Sequence, residues 1–313
     1  MRTLKFLAVV LLLAMPAMVH ADATDVPGSA VWYVHIDFKE MQAGSAGQSL
    51  YAWLDDEVFA EIEEEIGIDF GSEVDRLTAF SLADQGPVIV IEGNISQESK
   101  DMIIAFVAVS GDLQPLKSSG KSYYHVQDSD EDHDGMSDET SDITIDIESL
   151  EDEAWLSLAV ANKLIVTSSE EQMRELLAND GKIAGNRGHD GLLIVLTAEK
   201  TLLQAGMKSS LLGDDDDGGW ESNILRNAEQ IAFMLAAHNN SLVIEAKLVT
   251  TEPDMAQTLA SVARGLISLV AFDDDMEPDA KAVLRSTKIE ADGSTLSLSL
   301  VIAADLLVAT LRD

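Results

Sequence analysis

Cysteine is missing from all 313 residues. That removes disulfides, thiolate metal sites, thiol catalysis and lipid attachment through an N-terminal cysteine. Basic residues are scarce: 20 Lys and Arg stand against 56 Asp and Glu, for a net charge of −36. Nucleic acid is thereby excluded as a partner, because phosphate binding needs clustered Lys and Arg. Docking on anionic lipid is disfavoured for the same reason. Dense carboxylates favour solubility, cations or a basic partner, and in a salty medium they keep a surface hydrated. Aromatics make up 5% of the chain, and the four Trp residues are dispersed, with no sugar-stacking run. Long apolar runs are also absent after the first twenty residues, so no membrane span is expected once the leader is removed.

That leader is "MRTLKFLAVVLLLAMPAMVHA". Arg2 and Lys5 precede an apolar run from Phe6 to Met15, too short for a comfortable span. Val19, His20 and Ala21 fit a cleavage site before Asp22, so residues 1–21 read as a signal peptide and the mature protein as periplasmic or secreted.

What the chain does contain is an echo. Leu82–Met102 aligns without gaps on Leu235–Met255, placing Glu92 on Glu245. Gln42–Leu50 aligns on Gln204–Leu212, and Lys163–Leu177 on the last strand and helix. Both stretches follow one grammar. An apolar strand opens each (Ala30–Phe38, Gly191–Glu199), followed by helical material in which Phe59, Ile62 and Ile66 recur at helical spacing. A hairpin turns at Asp84–Gly86 or at Asn239–Asn240. An amphipathic helix comes next, with Ser96 and Ser99, or Thr251 and Asp254, as N-terminal caps. A second hairpin turns at Asn162 or at Asp292–Gly293, and a last helix closes each stretch. The pattern predicts an α+β fold: two related modules of mostly antiparallel sheet packed with helices, made by internal duplication. The expected units are 22–186 and 187–313.

Between the matched blocks the first unit is about nineteen residues longer, which places an acidic insertion near 127–153. From Asp128 to Glu153 there are thirteen carboxylates and no Lys or Arg. Such a run is ordinarily solvated spacer. Its spacing adds a second reading. Calcium takes six to eight hard oxygens, and a short loop supplies them from alternate positions with a Gly at the sharp turn. Asp130, Asp132 and Asp134 alternate, Gly135 follows, Met136 offers a carbonyl, and Asp138 comes two residues later. This resembles the calcium loops of thrombospondin type-3 repeats and EF-hand-like proteins over about a dozen residues. The resemblance implies calcium as cofactor, with Asp130, Asp132, Asp134, Met136 and Asp138 as ligands. It departs at the twelfth position, where Ser141 replaces an acid. "GDDDDGG" (213–219) and "DDDMEPD" (273–279) lack the alternation and read as solvated loops.

Catalytic signals are sparse. His35, His125, His133, His189 and His238 show no zinc spacing, and no G-x-S-x-G elbow occurs. Ser118 and Lys121 match S-x-x-K within "KSSGKS", a segment that reads as loop. The expectation is an exported acidic protein with a binding or structural role and a protein or small-molecule partner. Two alternatives stand beside it: a hydrolase using a carboxylate-bound divalent metal, and an acidic chaperone or inhibitor of a basic partner.

Overall fold

Strand β1 (Ala30–Asp37) leads into α1 (Phe38–Ala43), α2 (Ser45–Leu54) and a π-helical stretch at Asp55–Phe59. The computed structural model describes residues 30–60, 62–63, 69–83, 85–128, 153–182, 192–200, 227–271 and 278–312. A short helix α3 (Phe70–Glu73) precedes the hairpin β2 (Val74–Leu82) and β3 (Pro87–Gly93), then α4 (Gln97–Ser110). Next come β4 (Gly111–Ser118), β5 (Lys121–Asp128), β6 (Glu153–Ser157), β7 (Lys163–Thr167) and α5 (Glu170–Ala178). The chain continues through β8 (Leu192–Glu199), β9 (Ala228–His238), β10 (Ser241–Thr250), α6 (Pro253–Val270) and α7 (Pro278–Ser286). It closes with β11 (Lys288–Asp292), β12 (Thr295–Ala303) and α8 (Ala304–Arg312). The fold is α+β, as the alternation of strand pairs with helices predicts.

Two compact units form, one from Asp55–Asn186 and the other from Val31–Leu54 together with Arg187–Asp313. Residues 31–54 group with the C-terminal half and not with 55–186. Long-range strand pairing is the reason. β1 runs antiparallel to β8 from Trp32↔Ala198 to Ile36↔Ile194.

In the continuous unit the strand order is β2-β3-β7-β6-β5-β4, each neighbouring pair antiparallel. In the discontinuous unit it is β11-β12-β10-β9-β8-β1, again antiparallel throughout. The run β2-β3-β7-β6 matches the run β9-β10-β12-β11 in order, but α4 and the β4–β5 hairpin separate β3 from β6, whereas α6 and α7 separate β10 from β11.

The turns form where the side chains permit a left-handed backbone. Asn162 (φ 59), Asn239 (φ 55) and Gly293 (φ 54) sit at three hairpin ends. The "KSSGKS" segment is the β4–β5 hairpin, with Ser119 and Gly120 both at positive φ, rather than an open loop. Two other readings change. Thr251 does not cap α6; Glu252 holds that position without a side-chain bond, and Pro253 starts the helix, where its missing N–H costs nothing. The end of "DDDMEPD" is not loop, since a helix begins at Pro278.

In the core of the discontinuous unit, the fully buried residues of α6 are small. Ala256 and Ala260 are fully buried and bring the helix close to Ile289 and Leu296. In the continuous unit the side chains alternate across the sheet. Ile91, Leu156 and Leu164 pack with Ile103, Ile104 and Val107 of α4. Residues of the opposite parity, Val88, Val90 and Ile165, are also buried, as are Met173 and Leu177 of α5. Both faces of this sheet are therefore covered.

Candidate functional site

A candidate site lies in the continuous unit, beside α4. α4 starts because Ser96 caps it: the Ser99 N–H donates to Ser96 Oγ at 3.0 Å, and the two hydroxyls meet at 2.8 Å. Here the cap predicted from sequence forms. A second, non-local element completes it. The Ser96 N–H donates to Glu73 Oε2 at 3.1 Å, so a carboxylate from α3 satisfies the start of α4 across 23 residues.

Gly93 makes that reach possible. A Cβ at Gly93 would overlap the Glu73 carbonyl oxygen and stand 2.8 Å from Val74 Cα. Only a residue without a side chain lets the end of β3 lie this close to the α3–β2 junction. The Gly93 N–H meanwhile donates to the Asn162 carbonyl at 3.0 Å.

Between these elements is a cleft of about 190 Å³. Phe70, Glu73 and Val74 line it from α3 and β2, and Ile91 and Leu164 from the sheet. Ile95 follows β3, and Met102, Ile103 and Phe106 come from α4. Every lining residue except Glu73 is apolar. Phe106 is half exposed at the rim, and Phe70 packs on Phe59 with ring centroids 5.1 Å apart. Among the described residues the Glu73 side chain has no hydrogen-bond or ion-pair partner besides the Ser96 N–H. An engineered apolar cavity of about 150 Å³ holds a benzene molecule, so this cleft admits a ring with a short substituent.

Several ion pairs elsewhere in this unit are structural. Glu92 ion-pairs with Lys163 and lies 3.9 Å from Arg76. Lys163 also donates to the Gly181 carbonyl at 2.9 Å. Lys121 donates to the Leu177 carbonyl and to Asp180, each at 2.7 Å, and so closes the C-terminus of α5. Its bond and charge hold the Asp180 carboxyl below its ordinary range. This is what the S-x-x-K match becomes: Ser118 and Lys121 are a cross-strand pair, with Lys121 turned to helix capping. Tyr123 donates to Glu170 Oε1 at 2.6 Å, and Arg174 binds the same oxygen at 2.8 Å. The Tyr123 bond and the Glu170 charge raise the Arg174 guanidinium further.

The predicted calcium ligands Asp130, Asp132, Asp134, Met136 and Asp138 lie outside the described residues, as do His133 and His189. Their flanks are described. β5 and β6 are antiparallel neighbours, with Gln127 opposite Glu153, so the acidic segment connects two paired strands. His125 stacks on Trp155 at 4.8 Å and 11°, and its Nε2 comes within 3.5 Å of Glu153 without hydrogen-bond geometry. His35 is buried in β1 and stacks with Tyr33. Among the described residues no three His, Asp or Glu side chains come together as a metal-binding group. No described helix is long and apolar enough to cross a membrane.

No protein-family model matches the sequence, and no curated protein matches it either. Among solved structures the chain is similar to TP0453 in several crystal forms. Crystal form III aligns at 10% identity and a TM-score of 0.44 over 92% of this chain and 96% of that one. Form IV gives 11% and 0.44 over 93% and 96%, and form I 13% and 0.41 over 94% and 97%.

Sequence reasoning expected the helix but missed the open apolar cleft beside it. The one signal within reach was "MIIAFVAV" (102–109), where apolar residues outnumber what a single buried face requires.

Proposed function

We propose that this is an exported binding protein, without catalytic chemistry of its own, whose continuous unit takes a small apolar group into the cleft beside α4. One observation carries the reading: a 190 Å³ cleft with an almost wholly apolar surface, lined by eight apolar residues and Glu73, in a chain rich in charge. Ligand sites are typically concave and mostly apolar, with few polar groups to set orientation. Burial of a ring there removes apolar area from water on both sides, worth ~25 cal/mol per Å² before binding costs are subtracted. A binding role also fits the ionic pairs, which are spent on closing helices and strands.

Calorimetric titration of the mature protein with benzyl alcohol tests it, beside an Ile103→Trp variant in which the indole fills the cleft. A saturable heat lost in the variant is the expected result. Equal heats in both proteins, or none in either, would reject the cleft as a binding site.

The spacing of Asp130, Asp132, Asp134 and Asp138 supports a second, independent proposal: a structural calcium ion held in the connection between β5 and β6. Calcium titration with Asp132→Ala plus Asp134→Ala as control should show one saturable site that the double variant loses. Weak, unsaturable heat common to both would leave counterion condensation on an acidic run as the explanation.

A further inference from the structure

We infer that the occupant of this cleft is the end of a linear hydrocarbon chain, the tail of an amphiphile whose polar head stays in water outside the mouth. This rests on the cleft being a binding site and adds the shape and chemical class of its ligand. The cleft surface is almost wholly apolar. A polar head drawn inside would lose its water without gaining a hydrogen-bond partner. Hydrocarbon alone suits the chamber. A cavity of about 150 Å³ holds the six carbons of benzene, so 190 Å³ takes about seven carbons.

The apolar surface does not stop at the mouth. Met102 and Phe106 line the cleft from α4, and Val109 continues their stripe, since residues four and three apart share one face of a helix. Exposure rises along that stripe. Met102 is half-buried, Phe106 is 51% exposed and Val109 is 89% exposed. From Met102 to Val109 the helix rises about 10 Å. The path is therefore long: a chamber, then an apolar ledge. A ring fills the chamber and leaves the ledge bare, whereas a chain covers both. A side chain as exposed as Val109 adds little to the core, so its apolar character is better matched to a ligand than to the fold. The net charge of −36 repels an anionic head and leaves an uncharged one unaffected.

The probes are n-hexyl, n-octyl and n-decyl glucoside, titrated calorimetrically into the full mature chain below their micelle concentrations, beside benzyl alcohol. Affinity should rise roughly fourfold for each methylene that enters the chamber. Past about seven carbons the gain should fall to roughly twofold each, because a chain lying on a ledge keeps one side in water. Val109→Ser changes an exposed position outside the chamber. It should remove the gain of decyl over octyl and leave hexyl binding unchanged. Octyl maltoside should match octyl glucoside, since the head lies outside, and octanoate should bind more weakly at low salt. Benzyl alcohol binding without this dependence on chain length, or a decyl gain that survives Val109→Ser, would overturn the inference and leave the cleft as a site for compact apolar groups. Failure of benzyl alcohol and of every glucoside would overturn both.

Discussion

Single residues show how much of this fold depends on groups that meet far from their sequence neighbours. Lys121 and Asp180 are one such pair. Asp180 titrates below its ordinary range because of Lys121, so this contact contributes to stability above the unfolded carboxylate pKa and is lost as pH falls through the folded value. Replacing Lys121 by Met should return the Asp180 titration, followed by NMR, to the usual aspartate range. An unchanged titration would mean that the contact does not form in solution. Gly93 is another. Gly93→Ala forces a methyl group against Glu73 and Val74 and should cost about 1–3 kcal/mol in chemical denaturation. It should also displace Glu73 from Ser96. A variant as stable as the wild type would contradict the close approach. Neither position announces itself in the sequence: Gly93 sits in "IEGNIS", where a strand end explains a glycine equally well, and its reason is a contact with a residue twenty positions earlier.

Elements were more legible than contacts. Asn162, Asn239 and the Asp292–Gly293 pair mark hairpins because few residues tolerate positive φ, and this is a local property that a sequence displays. Asn239→Val should therefore destabilise the β9–β10 hairpin by roughly 1–2 kcal/mol, whereas Asn239→Gly should be tolerated, both read from thermal unfolding. Equal effects of the two substitutions would remove the backbone explanation. The alanines of α6 obey a different rule. Ala256 and Ala260 are buried at helical spacing and set how near the helix comes to β11 and β12. Helix α7 was hidden because its N-terminus lies within an acidic run that resembles loop. The Thr251 cap was misplaced by one residue because Pro253 supplies a start that needs no side-chain bond. Beyond the apolar excess at 102–109 the cleft had no signature, since periodicity reports which face of α4 is apolar and not how fully the sheet fills the space beneath it.

At the scale of the whole molecule, composition and pairing order carry the account. The assignment of residues 31–54 to the C-terminal half follows from β1 pairing with β8, a contact between strands more than 150 residues apart that no local pattern encodes. The shared order β2-β3-β7-β6 and β9-β10-β12-β11, together with the matched sequence blocks, supports the proposal that one module was duplicated. A charge of −36 on 313 residues opposes compaction by self-repulsion, which salt screens. Raising monovalent salt should raise Tm in calorimetry, and a flat or falling Tm would show that the carboxylates are neutralised some other way. The central claim concerns the cleft. It is tested most directly by a methyl-resolved NMR titration of the full mature chain with benzyl alcohol. The account expects saturable shifts at the methyls of Ile91, Met102, Ile103 and Leu164, with the methyls of Leu242, Ile244 and Leu300 in the other unit unmoved. Shifts spread over both units, or none at these four, would contradict it.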